Sequence, residues 1–261
     1  MAKYMGVDLS YHNTAVDYKK LKAGKIDGGK VKFAMLRTSY GCKKDTLLDK
    51  HYTGCKKAGI YVGAYHWLRA QNPAQARQEA QWLVDLLKDY QFDYPIALDF
   101  EDNELFALKL SKEQYSAIID AFMAVLQAAN YYVVLYTNPD TIRNRITEAT
   151  LRKYDLWLAH WTHGKPPEKY GQTMWQYAAY GTEYAVSQGW ATDVGTVDGS
   201  GGAIDVDISY VGYAAKIRKL GMNKPVRRFN VTGTKTVTAD KLDALEKALD
   251  KLGCSVIVEE I

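Results

Sequence analysis

No run of the 261 residues is long and apolar enough to span a membrane. The start, Met1-Ala2-Lys3-Tyr4-Met5-Gly6-Val7-Asp8, has neither the apolar stretch nor the cleavage site of a secretory leader. The expectation is a protein made in a cytoplasm, not inserted in a membrane. Cysteine is scarce: Cys42, Cys55 and Cys254 form no Cys-x-x-Cys pair and stand at no metal-ligand spacing from histidine. A disulfide framework and a zinc knuckle are both disfavoured. Buried free thiols are expected, with a Cys42–Cys55 bridge as the alternative. Proline is limited to six residues and no Gly-X-Y period exists, which excludes collagen-like material. Charge of one sign is also missing, with 34 Lys and Arg against 30 Asp and Glu spread along the chain. No basic arm points to nucleic acid. What is plentiful is aromatic: twenty Tyr and six Trp, rings with polar tips that suit either a packed core or a half-wet binding surface.

Short apolar runs alternate with longer amphipathic ones. Residues 4–9, 31–38, 60–67, 95–100, 132–136, 155–161, 173–177 and 203–208 read as strands, being rich in β-branched and aromatic residues between turn signals. Segments 46–58, 73–90 and 111–130 read as helices. Asn72 is a natural N-cap before Pro73, and Ser111 with Gln114 forms a capping box. This alternation predicts a parallel sheet covered on its outside, and eight strands predict closure into a (β/α)8-like barrel, irregular because regular helices fade after residue 155. A last helix is expected over 209–220, after which Gly221 and Pro225 break the pattern. The domains are thus drawn as a barrel at 1–221, a linker at 222–225 and a small βαβ unit at 226–261. A unit of that size needs a partner surface, and its own copy is the economical one. A homo-oligomer through this unit is expected, with cell-wall binding as a further role. Met222, which opens the module, also suits an internal translation start.

The strongest local signal is Leu98-Asp99-Phe100-Glu101. Residues i and i+2 of a strand share a face, so Asp99 and Glu101 project together at the C-terminal end of the fourth strand, where barrel active sites lie. Crowded carboxylates separate in pKa, leaving one able to act as an acid and one ionised. Asp8 ends the first strand, and Asp205 and Asp207 lie in the last, which neighbours the first in a closed barrel. Carboxylates converging on one mouth suit glycoside cleavage.

The ordered motifs Gly6-Val7-Asp8-Leu9-Ser10, Gly63-Ala64-Tyr65-His66-Trp67, Leu98-Asp99-Phe100-Glu101, Leu135-Tyr136-Thr137-Asn138, Leu156-Trp157-Leu158-Ala159-His160-Trp161, Trp175-Gln176-Tyr177 and Val206-Asp207-Ile208-Ser209 resemble those of the glycoside hydrolase family 25 lysozymes, the Chalaropsis type, which include many bacteriophage endolysins. The resemblance covers about residues 3–215. It implies an irregular (β/α) barrel that hydrolyses the β-1,4 bond from N-acetylmuramic acid to N-acetylglucosamine in bacterial peptidoglycan, without a cofactor. It implies Glu101 as proton donor. Asp99 matches the carboxylate that either orients the substrate's acetamido group or stabilises the oxocarbenium ion, and Asp8 and Asp207 match those that shape the site. Residues 178–203 are longer and richer in glycine than the family's usual turn, so Asp205 competes for the role of Asp207. Absence of a leader fits a lysin held in the host cytoplasm until a pore admits it to the wall.

Tyr65, Tyr136, Trp157, Trp161, Trp175 and Tyr177 fall at or near strand ends and are the candidate sugar-stacking rings, Tyr65 and Tyr136 first among them. His66, His160 and His163 raise a rival, a metal-dependent polysaccharide deacetylase, although His160-x-x-His163 has no helix to set ligand geometry. No metal is expected. A second rival, a wall-binding lectin on a dead barrel, is disfavoured by the four matching carboxylates.

Overall fold

The computed structural model describes residues 3–161, 168–180 and 197–223. The predicted βαβ unit, Cys254 and His163 lie outside the described residues. Eight strands close into a barrel: β1 Tyr4–Leu9, β2 Gly29–Tyr40, β3 Tyr61–Trp67, β4 Ile96–Asp99, β5 Val133–Thr137, β6 Asp155–Ala159, β7 Met174–Tyr180 and β8 Ile204–Ser209. Strands β1 to β7 run parallel to their sequence neighbours in the wall. β8 closes the barrel antiparallel to both β7 and β1. That reversal departs from the all-parallel expectation. Strand β2 is longer than its apolar run predicts because two-residue strands, Lys25–Ile26 and Lys43–Lys44, pair with its two ends. The first of these hairpins turns through Asp27 and Gly28, both at positive φ (48° and 80°), the geometry that Asp-Gly favours.

Helices α1 Tyr18–Ala23, α2 Leu48–Ala58, α3 Pro73–Leu87, α4 Asn103–Ala107, α5 Lys112–Ala128, α6 Pro139–Arg145, α7 Glu148–Leu151 and α8 Tyr213–Leu220 complete the described elements, with a single 3-10 turn at Glu168–Tyr170. The cap chemistry sets the long ones. Asn72 accepts from Gln75 N at 3.0 Å with Pro73 in the first turn of α3. Ser111 and Gln114 form the reciprocal capping box of α5. None of the described helices is long and apolar enough to cross a membrane.

Two apolar layers result. The outer one lies between wall and helices and takes Leu83, Leu87, Ile118, Ile119 and Phe122. The inner one fills the barrel with Phe33, Met35, Tyr94, Ala97, Val134 and Trp157. Room for the β2 side chains comes from glycines on the flanking strands. A Cβ on Gly6 would lie 2.3 Å from the Phe33 ring, and one on Gly63 2.4 Å from the Met35 sulfur, separations that no packed core tolerates. Cys55 is buried and Cys42 exposed, both as free thiols, so burial of both, as expected, does not hold. Cys42 stands beyond the end of β2, clear of either layer.

Because β8 runs downward, α8 emerges at the floor, the N-terminal end of the parallel strands. Tyr213 and Ile217 of α8 join the inner layer. The compact unit containing the barrel runs from Met1 to Val226, and a second unit from Arg227 to Ile261.

Candidate active site

The C-terminal ends of seven parallel strands and the N-terminal end of β8 meet at the mouth. There they line a cavity that includes Asp8, Arg37, Tyr65, Trp67, Asp99, Glu101, Tyr136, Trp157, Gln176 and Asp205. A second, more open cavity is walled by Asn138, Asp140, Arg143, His160 and Trp161. Glu101, Tyr136, Gln176 and Asp205 line both. The two cavities thus form one groove with Glu101 at its middle.

Strand direction decides which carboxylates reach this groove. In an antiparallel β8, Asp205 precedes Asp207 on the way down from the mouth and is paired with Asp8, whereas Asp207 is paired with Gly6. Asp207, expected at the mouth, therefore sits deeper, fully buried, and lines neither cavity. Its Oδ1 accepts a 2.8 Å bond from Trp157 Nε1. Asp205 takes the rim position instead.

The electrostatics follow from burial among like charges. Glu101 is pushed up to about 7, first by burial and then by Asp205. Asp205 is raised to about 6 by burial. Asp99 is held well above the usual carboxylate range by burial, then by Glu101 and Asp8, with Arg37 opposing. Asp8 is raised by burial and by Asp205 and Asp207, against the hydrogen bond from Gln176. Asp207 is raised by burial, against the bond from Trp157. All five carboxyl groups are thus raised together, and their titrations are coupled. Asp99 Oδ1 and Asp207 Oδ2 are buried with no hydrogen-bond partner among the described residues. Tyr65 and Tyr136 stay protonated, raised first by burial and then by the surrounding carboxylates.

Gln176, which strand-end reasoning passed over, joins these groups. Its Nε2 donates to Asp8 Oδ2 at 2.8 Å, and its Oε1 accepts from Tyr136 Oη at 2.9 Å and Trp161 Nε1 at 3.0 Å. Indole nitrogen only donates, so Trp161 requires the amide oxygen, and the amide N–H is left for Asp8 Oδ2; this orientation satisfies each partner. The Tyr136 proton is thereby committed to Gln176, leaving the phenol oxygen as an acceptor towards the groove. A polar residue between two rings in an alternating strand was the available signal.

The same alternation corrects two expected rings. With Gln176 inward, Trp175 and Tyr177 face the outer layer; Trp175 Nε1 donates to His160 O at 2.8 Å and Tyr177 Oη to Asp27 Oδ2 at 2.6 Å. Neither lines the groove. Tyr65, Tyr136, Trp157 and Trp161 do, with Trp157 packed edge-on against Tyr136 at 4.6 Å and Tyr65 at 6.0 Å. His66 points outward, bonded to Ser39 Oγ at 2.7 Å and Glu79 Oε1 at 2.6 Å. It does not meet His160, which lines the second cavity. Among the described residues no group of three or more His, Cys, Asp or Glu is placed to hold a metal.

Comparison with known proteins agrees with the fold. The family described as Glycosyl hydrolases family 25 matches residues 7–184, more than half of the chain. An autolytic lysozyme of Clostridium acetobutylicum is 25% identical over 202 residues, covering 77% of this chain and 54% of its own length. Lysozyme M1 of Streptomyces globisporus is 29% identical over 195 residues, covering 70% and 64%. The chain thus spans about half to two thirds of the length of these curated relatives. Among solved structures, the CTP1L endolysin superposes with a TM-score of 0.64 at 22% identity, over 100% of this chain and 84% of that one. That likeness is one of fold.

Proposed function

The chain belongs to glycosyl hydrolases family 25, and we propose from that premise that its barrel is an N-acetylmuramidase, cleaving the β-1,4 bond between N-acetylmuramic acid and N-acetylglucosamine in peptidoglycan. The observation that carries the reading is the meeting of two cavities at Glu101, a carboxyl pushed up to about 7. A glycan laid along the groove has a sugar in each cavity and the bond between them beside a group that keeps a share of its proton at neutral pH. Glu101 donates its proton to the glycosidic oxygen as the C–O bond breaks. Positive charge developing on the sugar meets Asp99, whose buried unpartnered oxygen is suited either to that charge or to the N–H of the acetamido group. Asp8, oriented by Gln176, and Asp205 keep the site acidic, and Asp207 fixes the Trp157 ring beneath the substrate. Water then takes the sugar carbon, returning its proton to Glu101. Two lysozymes among the relatives support this substrate.

Mass analysis of digests of purified walls tests the reading. N-acetylmuramic acid is expected at the new reducing ends; N-acetylglucosamine there, or deacetylated glycan without cleavage, would sink it.

The setting we propose is phage-driven host lysis, with release from the host cytoplasm through a pore. The full-length fold likeness to an endolysin supports it. Residues 226–261 are assigned to self-association, with wall binding as a second role, because a unit so short needs a surface to cover. Sedimentation of the full chain checks this: a monomer at all concentrations would remove the self-association.

A further inference from the structure

Past the first cavity the mouth continues as a rim of exposed rings. Asp99 on β4 is paired with Trp67 on β3, and Trp67 with Tyr40 on β2. Paired residues on adjacent strands project to the same face of a sheet. Tyr40 therefore stands beside Trp67 on the mouth side, two strand spacings or about 10 Å from Asp99. Trp67 lines the first cavity, and Tyr40, just outside it, is 40% exposed. Their centroids lie 5.7 Å apart.

The Tyr40 ring is held in place. The Arg69 guanidinium carbon lies 4.8 Å from its centroid, and Arg69 donates to its hydroxyl. Arg69 is fixed in turn by Glu104 and by Asp102 Oδ2 at 2.8 Å, and the same Asp102 oxygen accepts from Trp67 Nε1 at 3.0 Å. One carboxylate thus braces both rings, so little side-chain freedom is left to lose on binding. Of the three most exposed tyrosines among the described residues, Tyr11, Tyr40 and Tyr61, Tyr40 belongs to this rim, and Tyr61 stands at the start of β3, near the floor.

We propose that Tyr40, continuous with Trp67, is a distal glycan subsite, on which a hexosamine ring beyond those at the cleaved bond stacks its apolar face. The inference rests on the muramidase reading and extends its groove. The occupant is the same glycan strand, because the platform is reached through the cavity that holds it. An acidic stem peptide is disfavoured, since Arg69 already faces two carboxylates.

The test compares kcat/KM of the full chain on peptide-free glycan strands of two lengths, a tetrasaccharide and long strands. Tyr40→Ala is expected to lower the long-to-short ratio by about 3- to 10-fold, the worth of one aromatic stack. Tyr40→Phe should keep the ratio, and Tyr61→Ala should leave both substrates unaffected. Equal losses at both lengths, or no change in the ratio, would overturn the subsite. A loss confined to walls that retain stem peptides would give the ring to peptide and overturn the sugar. If the wild type cleaves neither glycan, the muramidase reading fails by itself. Calorimetry of long strands with wild type and Tyr40→Ala then still decides the subsite, unchanged affinity counting against it.

Discussion

Floor and mouth of the barrel place charge differently: the floor sets a carboxylate among donors, although Gln172 Oε1 and Tyr210 Oη there are buried without a partner among the described residues, whereas the mouth gathers carboxyl groups together. At the floor Asp155 Oδ2 accepts from Tyr132 Oη at 2.6 Å and Tyr213 Oη at 2.9 Å, with Lys216 Nζ at 3.4 Å. Asn223 accepts from Tyr132 N and donates to Tyr94 O, both at 2.7 Å. At the mouth and just beneath it five carboxyl groups crowd together; among the described residues Arg37 is the one Lys or Arg lining the first cavity, and Asp99 and Asp207 each keep a buried oxygen without a partner. A satisfied network rigidifies a fold, whereas buried like charges cost stability and leave groups poised to exchange protons. The difference sets a carboxylate held by donors at one end and carboxyl groups raised by burial among like charges at the other.

Three substitutions break or sharpen that contrast. Glu101→Gln should lower turnover on cell walls by about 10²- to 10⁴-fold while the melting temperature stays level or rises; near-normal wall clearing would contradict its role as acid. Asn223→Ala should do the reverse, costing about 3 kcal/mol in denaturant unfolding for two buried backbone groups left unpaired, with kcat/KM per folded molecule unchanged. A drop in kcat/KM there would show that floor and mouth are coupled. Asp205→Asn should have the smallest effect. Removing this charge lets Glu101 ionise more readily, so its pKa falls from about 7 and the protonated acid is lost at a lower pH. The alkaline limb of the pH–rate profile should move down; a limb that stays put would mean that burial alone sets the acid.

Much of the mouth was legible because period-2 alternation and strand ends are local properties. Asp8, Asp99, Tyr65 and Tyr136 needed only a strand and its direction, and Glu101 lies two residues past the end of β4. The direction of β8 was not local. It depends on the end of the barrel from which the chain enters the wall at Ile204, and reversing it exchanges Asp207 for Asp205 at the rim. Parity misled in β7 for a related reason. Trp175 and Tyr177 must share a face, but whether that face is the groove or the helix layer is decided by what packs outside it. Short helices such as α4, α6 and α7 escaped because four to seven residues carry too little apolar periodicity to stand out. The long helices did not, since Asn72 and Ser111 announce their starts.

Asn223 also dictates where this polypeptide can be cut. Its backbone N–H donates to Asn130 O at 3.0 Å, and Asn130 Nδ2 returns a bond to Gly221 O at 3.1 Å. The residues just past α8 are therefore a clasp on the barrel, not the beginning of a tether. A fragment ended at Gly221 would carry a severed clasp, and its melting point would report that injury as well as the missing tail. A cut that spares the clasp must leave Asn223 on the barrel.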